Sequence, residues 1–482
     1  MTKSRFLGPL LGVLIMSAFF LSSPLGSLTP AGMRGVGIFV FTIILWVTEG
    51  VGYPSFLAIA LLIISGVLSA QQAFSASLGS WIVFFLLGCF GMCEAMRISG
   101  FTHRFALWFL TRSWAQGRPW VLLSLFFFAC TLMAAVMSVT ATVIVFMTVA
   151  SSMLRALDYQ KGDPLAAAVM MGVAWTATAA FAMTPIAHVN NLMMIEWIQR
   201  DLGYTVTFLR WMAVGIPMGL LFYFLILAFI RLVVRPDVSR MKRLTGAFLE
   251  KQVKDLGPVS WREKLSAGIF GAVVLIWILP DLLVSWSPQA AEYLREIGYA
   301  TPALLGASLL CFIRVEGKPL LSFRQWMVNG VEWGSMALVA GILALGAVIA
   351  DPGTGILKTL GEVFAPLAQD TPVYLFVLLM VFWSTAQTNL LSNLVSMTMV
   401  YSIMIPIATE TGLGNPAAMG VTVAASASYA FSLPSATTAT ALVTGSGWVP
   451  IRYMLRYGLI LIIPAALLFT FLYYPYAALI LR

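Results

Sequence analysis

Charge is what this chain has least of. Asp, Glu, Lys and Arg make up 10% of its 482 residues and hydrophobic residues 60%, whereas a water-soluble globule carries about 25% charged residues. A soluble globular protein is excluded, and the surrounding solvent must be lipid. Histidine is nearly missing, with His103 and His188 alone. The apolar runs contain no His-Glu-x-x-His, no aspartate pair and no Ser-His dyad at fixed spacing, so the paired groups an enzyme needs are lacking. The four cysteines, Cys89, Cys93, Cys130 and Cys311, all sit in apolar runs, which argues against a disulfide framework or a metal centre; no organic cofactor is expected. Polar stretches are short too. The longest, 235–264, has room for a cytoplasmic amphipathic connector but not for a soluble domain.

What is present is a succession of apolar runs from Phe6 almost to Arg482. A transmembrane helix needs about 20 such residues, so the pattern predicts an all-α polytopic membrane protein with about eleven spans plus shorter re-entrant pieces. The formal charge of +9 does not point to nucleic acid as a partner, because the basic residues lie in short loops and follow the positive-inside rule. Lys3 and Arg5 before Phe6 give the outline of a secretory leader, but Ser-Pro-Leu-Gly offers no convincing cleavage site, so this run reads as the first span. With the N-terminus cytoplasmic, spans near 6–25, 33–50, 53–68 and 80–96 bring Arg97, Arg104, Arg112 and Arg118 to the cytoplasmic side. The apolar residues of that stretch (Phe101, Phe105, Ala106, Phe109) recur at helical spacing, as in a helix lying on headgroups. The location expected is a bacterial inner (plasma) membrane.

The run 120–154 would measure roughly 50 Å as one straight helix, too long for a single span. Basic residues bracket both ends, so it reads as a hairpin with Ser138-Val139-Thr140 at its tip, either re-entrant or a pair of complete helices. A broken helix over 165–197 follows, then a span to Val234. After the connector the plan repeats over 265–482, with spans near 266–284, 301–313 and 333–350, a hairpin over 373–407 with Ser392-Asn393 at its middle, and a broken helix over 417–445. Met171-Gly172-Val173 corresponds to Met419-Gly420-Val421, and Phe208-Leu-Arg-Trp211 to Met454-Leu-Arg-Tyr457. The chain thus divides into 1–234, a first span plus a first repeat, and 265–482, a second repeat of opposite orientation. Inverted repeats with discontinuous helices characterise secondary transporters that bind their solute at mid-membrane.

Backbone that leaves the helix inside a bilayer must line a cavity or be buried in protein. Four places do so: the two hairpin tips and the breaks at 184–191 and 432–440. Helix N-termini there can hold an anion, and freed carbonyls and hydroxyls a cation. Ser138, Thr140, His188, Asn190, Asn191, Asn393, Thr437 and Thr438 are the expected substrate-binding residues. Thr388, Ser392, Asn393 and Ala436 are the expected sodium ligands, unless the hydroxyls simply bond back to helix carbonyls. In the first half Ala134 and Val139 stand where Thr388 and Asn393 would, so that cation cage looks dismantled. Two readings of His188 stand: a protonated countercharge replacing a sodium ion, or a neutral, hydrogen-bonded packing residue. Glu49 near a membrane interface reads as a topology or salt-bridge residue.

These residues resemble the divalent anion:sodium symporter family, which carries di- and tricarboxylates and sulfate, over almost the whole chain. Trp46-Val-Thr-Glu49 with Gly50 to Pro54 is similar to its second-span signature, and Phe431-Ser-Leu-Pro-Ser-Ala-Thr437 with Thr444-Gly-Ser-Gly-Trp448 to its final broken helix. The family's Ser-Asn-Thr at each tip reads here as Ser138-Val139-Thr140 and Ser392-Asn393-Leu394. Its Thr-Pro-Pro-Asn after each break reads as His188-Val189-Asn190-Asn191 and Thr437-Thr438-Ala439-Thr440. The resemblance implies a homodimer in the lipid bilayer, with an elevator-like transport domain carrying a small carboxylate- or sulfate-like anion in symport with sodium. The alternatives are an anion exchanger, a proton-coupled carrier using His188, or an anion channel.

Overall fold

The computed structural model describes residues 7–112, 117–243, 254–368, 371–390, 392–434 and 436–482. Lys3 and Arg5, the central part of the connector and Ser435 in the second break lie outside them. Among the described residues the extended pairing is a two-residue ladder, Arg314–Val315 against Lys318–Pro319, and the other regular structure is helical. Nine helical stretches there are long and apolar enough to cross a membrane by length and composition, with shorter apolar helices such as Leu7–Leu21 and Pro119–Ala134 beside them. The chain is an all-α polytopic membrane protein.

Helix starts follow local chemistry. Proline takes the first position of Pro30–Thr48, Pro119–Ala134, Pro164–Ala179 and Pro416–Ala427, where its missing N–H would have had no partner anyway. Ser260 and Glu263 form a reciprocal cap that starts the helix Trp261–Leu283. The end of the expected connector is therefore already helical. Three further helices, Ala70–Ala76, Pro288–Ile297 and Ile356–Ala368, have no counterpart among the expected spans. The first is too short to span a bilayer, and the other two interleave charged with apolar residues, so none registers as a long hydrophobic run.

Two crossed helix pairs join the two parts of the chain. Trp81–Ser99 packs on Ala300–Phe312, and Gly52–Ile64 on Trp333–Ala350. Glycine makes both approaches possible: a Cβ on Gly88 would sit 2.5 Å from the Ala303 carbonyl carbon, and one on Gly341 2.8 Å from the Ser55 Cβ. Elsewhere lie two helical hairpins, with arms Pro119–Ala134 and Val139–Ala156, and Val373–Thr388 and Asn393–Thr411. Each is followed by an interrupted helix, Pro164–Ala179 with Val189–Leu202, and Pro416–Ala427 with Thr438–Gly445. A long helix closes each set, Phe208–Phe229 or Ile451–Leu468, and both continue into a π-turn, Ile230–Val234 or Phe469–Tyr473.

The interrupted helices form the centre. Every residue of Pro164–Ala179 after the proline is buried. Trp175 Nε1 donates to the Phe431 carbonyl (3.0 Å) and Tyr429 O–H to the Ala179 carbonyl (2.6 Å), so the peptide groups freed at one break are satisfied by side chains from beside the other.

Candidate functional site

Both hairpin tips and both breaks meet at one cavity of about 230 Å³. Its lining includes Ser138, Val139 and Thr140 from the first tip, His188 and Val189 from the first break, Ser392, Asn393 and Leu394 from the second tip, and Ala436, Thr437 and Thr438 from the second break. The rest of the lining includes Leu86, Cys89 and Cys93 of Trp81–Ser99, and Glu332, Ser335 and Val339 at the start of Trp333–Ala350.

Four helices begin here. Ser138, His188, Ser392 and Thr437 are the N-cap residues of Val139–Ala156, Val189–Leu202, Asn393–Thr411 and Thr438–Gly445. Each helix start carries about half a positive charge from its unpaired N–H groups. Thr437 and His188 do cap their own helices: Thr437 Oγ1 accepts from the Thr440 amide (3.1 Å) and His188 Nδ1 from the Asn190 amide (3.2 Å). The two hairpin serines make no side-chain cap, which leaves the first amides of both hairpin helices to a ligand. Thr140 Oγ1 donates to Thr438 Oγ1 (3.2 Å), tying the first tip to the second break.

The bond at Nδ1 fits the packing reading of His188, since a nitrogen that accepts from a backbone amide carries no proton and the ring is then the neutral Nε2–H form. The imidazole packs against Phe181, with ring centroids 4.3 Å apart, and offers the cavity a hydrogen-bond donor.

Three expected ligands lie behind the cavity. Asn191 Nδ2 donates to the Phe181 and Thr184 carbonyls (2.6 and 2.8 Å), and Asn190 Nδ2 to Ser428 Oγ (3.1 Å), so both amides brace the breaks. Thr388 is fully buried; its Oγ1 donates to Asn393 Oδ1 (2.7 Å) and lies within bonding reach of the Ala427 carbonyl. Asn393 Nδ2 donates to the Ser428 carbonyl (3.4 Å). One hydroxyl proton thus sits among three oxygens, an acceptor-rich cluster of the kind a hard cation such as sodium takes. Ser392 and Ala436 line the cavity beside it. Asn389, one residue after Thr388, takes another role: its Oδ1 accepts from the Phe431 and Ser432 amides (2.9 Å each) and Ser432 Oγ (2.7 Å), holding the second break open.

Sequence reasoning passed over Glu332. Its Oε1 accepts from Ser138 Oγ (3.1 Å) and its Oε2 from Ser335 Oγ (3.3 Å), and no Lys or Arg is among the described residues lining the cavity. A single glutamate directly before an apolar run reads as a helix end at a membrane interface, so only the fold reveals that it faces the first tip.

Helix starts aimed at a cavity between interrupted helices belong to membrane transporters. The family profile described as "Sodium:sulfate symporter transmembrane region" matches residues 4–480, and the chain belongs to that family; it is a transporter and not an enzyme. It is 26% identical over 474 residues to the sodium-dependent dicarboxylate transporter SdcS of Staphylococcus saprophyticus subsp. saprophyticus, with 94% of this chain and 86% of that protein covered. Against SdcS of Staphylococcus aureus strain USA300 the identity is also 26%, over 492 residues, covering 97% and 90%. Among solved structures, MtrF of Neisseria gonorrhoeae, described as illuminating a class of antimetabolite efflux pumps, superposes with a TM-score of 0.51 at 12% identity, covering 98% of this chain and 94% of that one. That likeness concerns the fold alone.

Proposed function

We propose that the protein is a secondary active transporter that carries a small dicarboxylate or sulfate-like anion in symport with sodium. The observation that carries this reading is the convergence of four helix N-termini on one cavity, with the Thr388–Asn393 oxygen cluster directly behind it. The helix starts favour an anion and the oxygen cluster a cation, which is the pairing that the names of the SdcS relatives describe. Val139 and Leu394 replace an amide and a hydroxyl at the tips, favouring compact anions over citrate.

The reading includes an elevator. Residues 1–234 and 265–482 would form inverted repeats, supported by the matching order of hairpin, interrupted helix and π-turned helix in each. The hairpins, taken as re-entrant, and the interrupted helices would move against a scaffold built on the Gly88 and Gly341 crossings, in a homodimer within a bacterial inner membrane. With the N-terminus cytoplasmic, Cys93 and Glu332 lie toward the cytoplasmic ends of their helices, so the cavity would lie at the inward level. A larger crevice of about 770 Å³ between Gly346–Asp351 and Arg200–Tyr401 would then be the space vacated on the outer side. A proton-coupled carrier with His188 as countercharge is not favoured, because Nδ1 accepts from an amide.

The test is uptake of labelled succinate and sulfate into proteoliposomes with and without an inward sodium gradient. Saturable, sodium-stimulated uptake and counterflow are expected. Equal uptake without sodium defeats the coupling, and flux that neither saturates nor exchanges indicates a channel.

A further inference from the structure

Glu332 is the charged side chain of the cavity wall, and it lies in a site that four helix starts make attractive to anions. The titratable groups around it do not neutralise it. Cys89 and Cys93 of Trp81–Ser99 are thiols in an apolar wall, and His188 from the first break is the neutral tautomer described above. The Glu94–Arg97 pair on the same wall helix is closed on itself at 2.6 Å, with Arg97 pointing to the exterior. The two partners of the carboxylate, Ser138 and Ser335, are hydroxyls that satisfy its oxygens without supplying charge.

Glu332 therefore sits at the first of these helix starts, bonded to its N-cap Ser138, and shares the cavity with the other three. At a separation of about 8 Å and an effective dielectric of about 20, two like charges repel by enough to weaken binding more than tenfold. A fully ionised dicarboxylate drawn to the helix starts therefore brings a carboxylate toward Glu332. A proton between the two carboxyl groups turns that repulsion into a charge-assisted hydrogen bond.

We propose that a dicarboxylate enters this cavity together with one proton, held between Glu332 and the substrate carboxylate that faces it, so that Glu332 sets both the charge state accepted and the pH dependence of binding. The inference rests on the anion-transport reading above. The proton comes from the aqueous side to which the cavity opens and leaves with the substrate on release, and no covalent bond is made or broken. Linkage gives the sign: if the complex holds one proton more than the separated partners, affinity rises as pH falls, up to tenfold per unit, until the free partners bind that proton themselves.

The experiment is equilibrium binding of succinate to the purified protein at saturating sodium between pH 6 and 8.5, for the wild type and Glu332→Gln. The wild type is expected to bind severalfold to tenfold more tightly per unit fall in pH. The variant, whose amide donates to the distal carboxylate without a proton, should bind at pH 8 at least as tightly as the wild type and show a flat profile. A flat wild-type profile, or the same slope in both proteins, overturns the proposal and leaves the transport reading untouched. No succinate binding at any pH sinks the proposal and the dicarboxylate part of the transport reading, and leaves its sulfate-like part standing. Should the variant not fold, proton uptake by the wild type in weak buffer decides: one proton per succinate bound supports the proposal beyond the amount the free dianion takes up itself, and none refutes it.

Discussion

Thr388 and Asn393 face each other across the second hairpin tip, hydroxyl to amide oxygen at 2.7 Å, and both are buried. The Ala427 carbonyl completes a set with more lone pairs than protons, and the proposal of cation coupling in this half of the molecule rests on it.

Removing those oxygens should separate sodium from substrate. Asn393→Ala is expected to abolish sodium-stimulated uptake, and Thr388→Val to raise the sodium concentration for half-maximal uptake about tenfold, or about 1.4 kcal/mol. Uptake measured against sodium concentration checks both. Wild-type curves in the two variants would remove the site from this position.

His188 should behave as a donor and a helix cap, not as a charge. Replacement by alanine is expected to weaken substrate binding about fivefold, the worth of roughly 1 kcal/mol for one hydrogen bond. His188→Gln should keep the wild-type pH profile of affinity. A profile that flattens in the glutamine variant would mean that the imidazole titrates after all.

Asn389 supplies the acceptor for two backbone amides and a hydroxyl at the second break. Asn389→Ala leaves them buried without a partner and should destabilise the protein by about 2–4 kcal/mol. The neighbouring Leu390, 67% exposed, gives the control, with Leu390→Ala expected to shift stability by about 0.5 kcal/mol at most. Thermal unfolding in detergent compares them, and equal midpoints would contradict the assignment.

The Gly88 crossing has no room for a methyl group, since backbone of Ala303 lies where it would go. Gly88→Ala should lower stability by about 1–3 kcal/mol. Gly271, in Trp261–Leu283 with open space around it, should tolerate alanine or gain up to about 1 kcal/mol. Similar melting of the two variants would show that the helices can part without penalty.

Long-range hydropathy made the fold legible, and short-range chemistry made the tips legible. The runs 120–154 and 373–407 had to turn because no bilayer accommodates such a length, and their polar triplets marked where. Ser138, Thr140, His188, Ser392, Asn393, Thr437 and Thr438 were within reach for the same reason: polar residues interrupting apolar runs, which the structure brings, with Ala436, to one cavity. The inward or outward sense of a side chain was not legible. Asn190, Asn191 and Thr388 are as polar as their neighbours, yet they turn toward freed carbonyls and another side chain behind the cavity. Glu332 was hidden for the opposite reason, being separated by 194 residues from the serine it meets.

The helix starts at the cavity belong to the main chain, and this has an evolutionary consequence. On the proposed reading, attraction for an anion would survive any side-chain exchange at the tips that leaves the four helices in place. Preference among anions can therefore drift through single replacements at half a dozen positions while the capacity to hold a negative charge is inherited with the backbone. A lineage built on this scaffold can change its cargo without passing through an inactive ancestor.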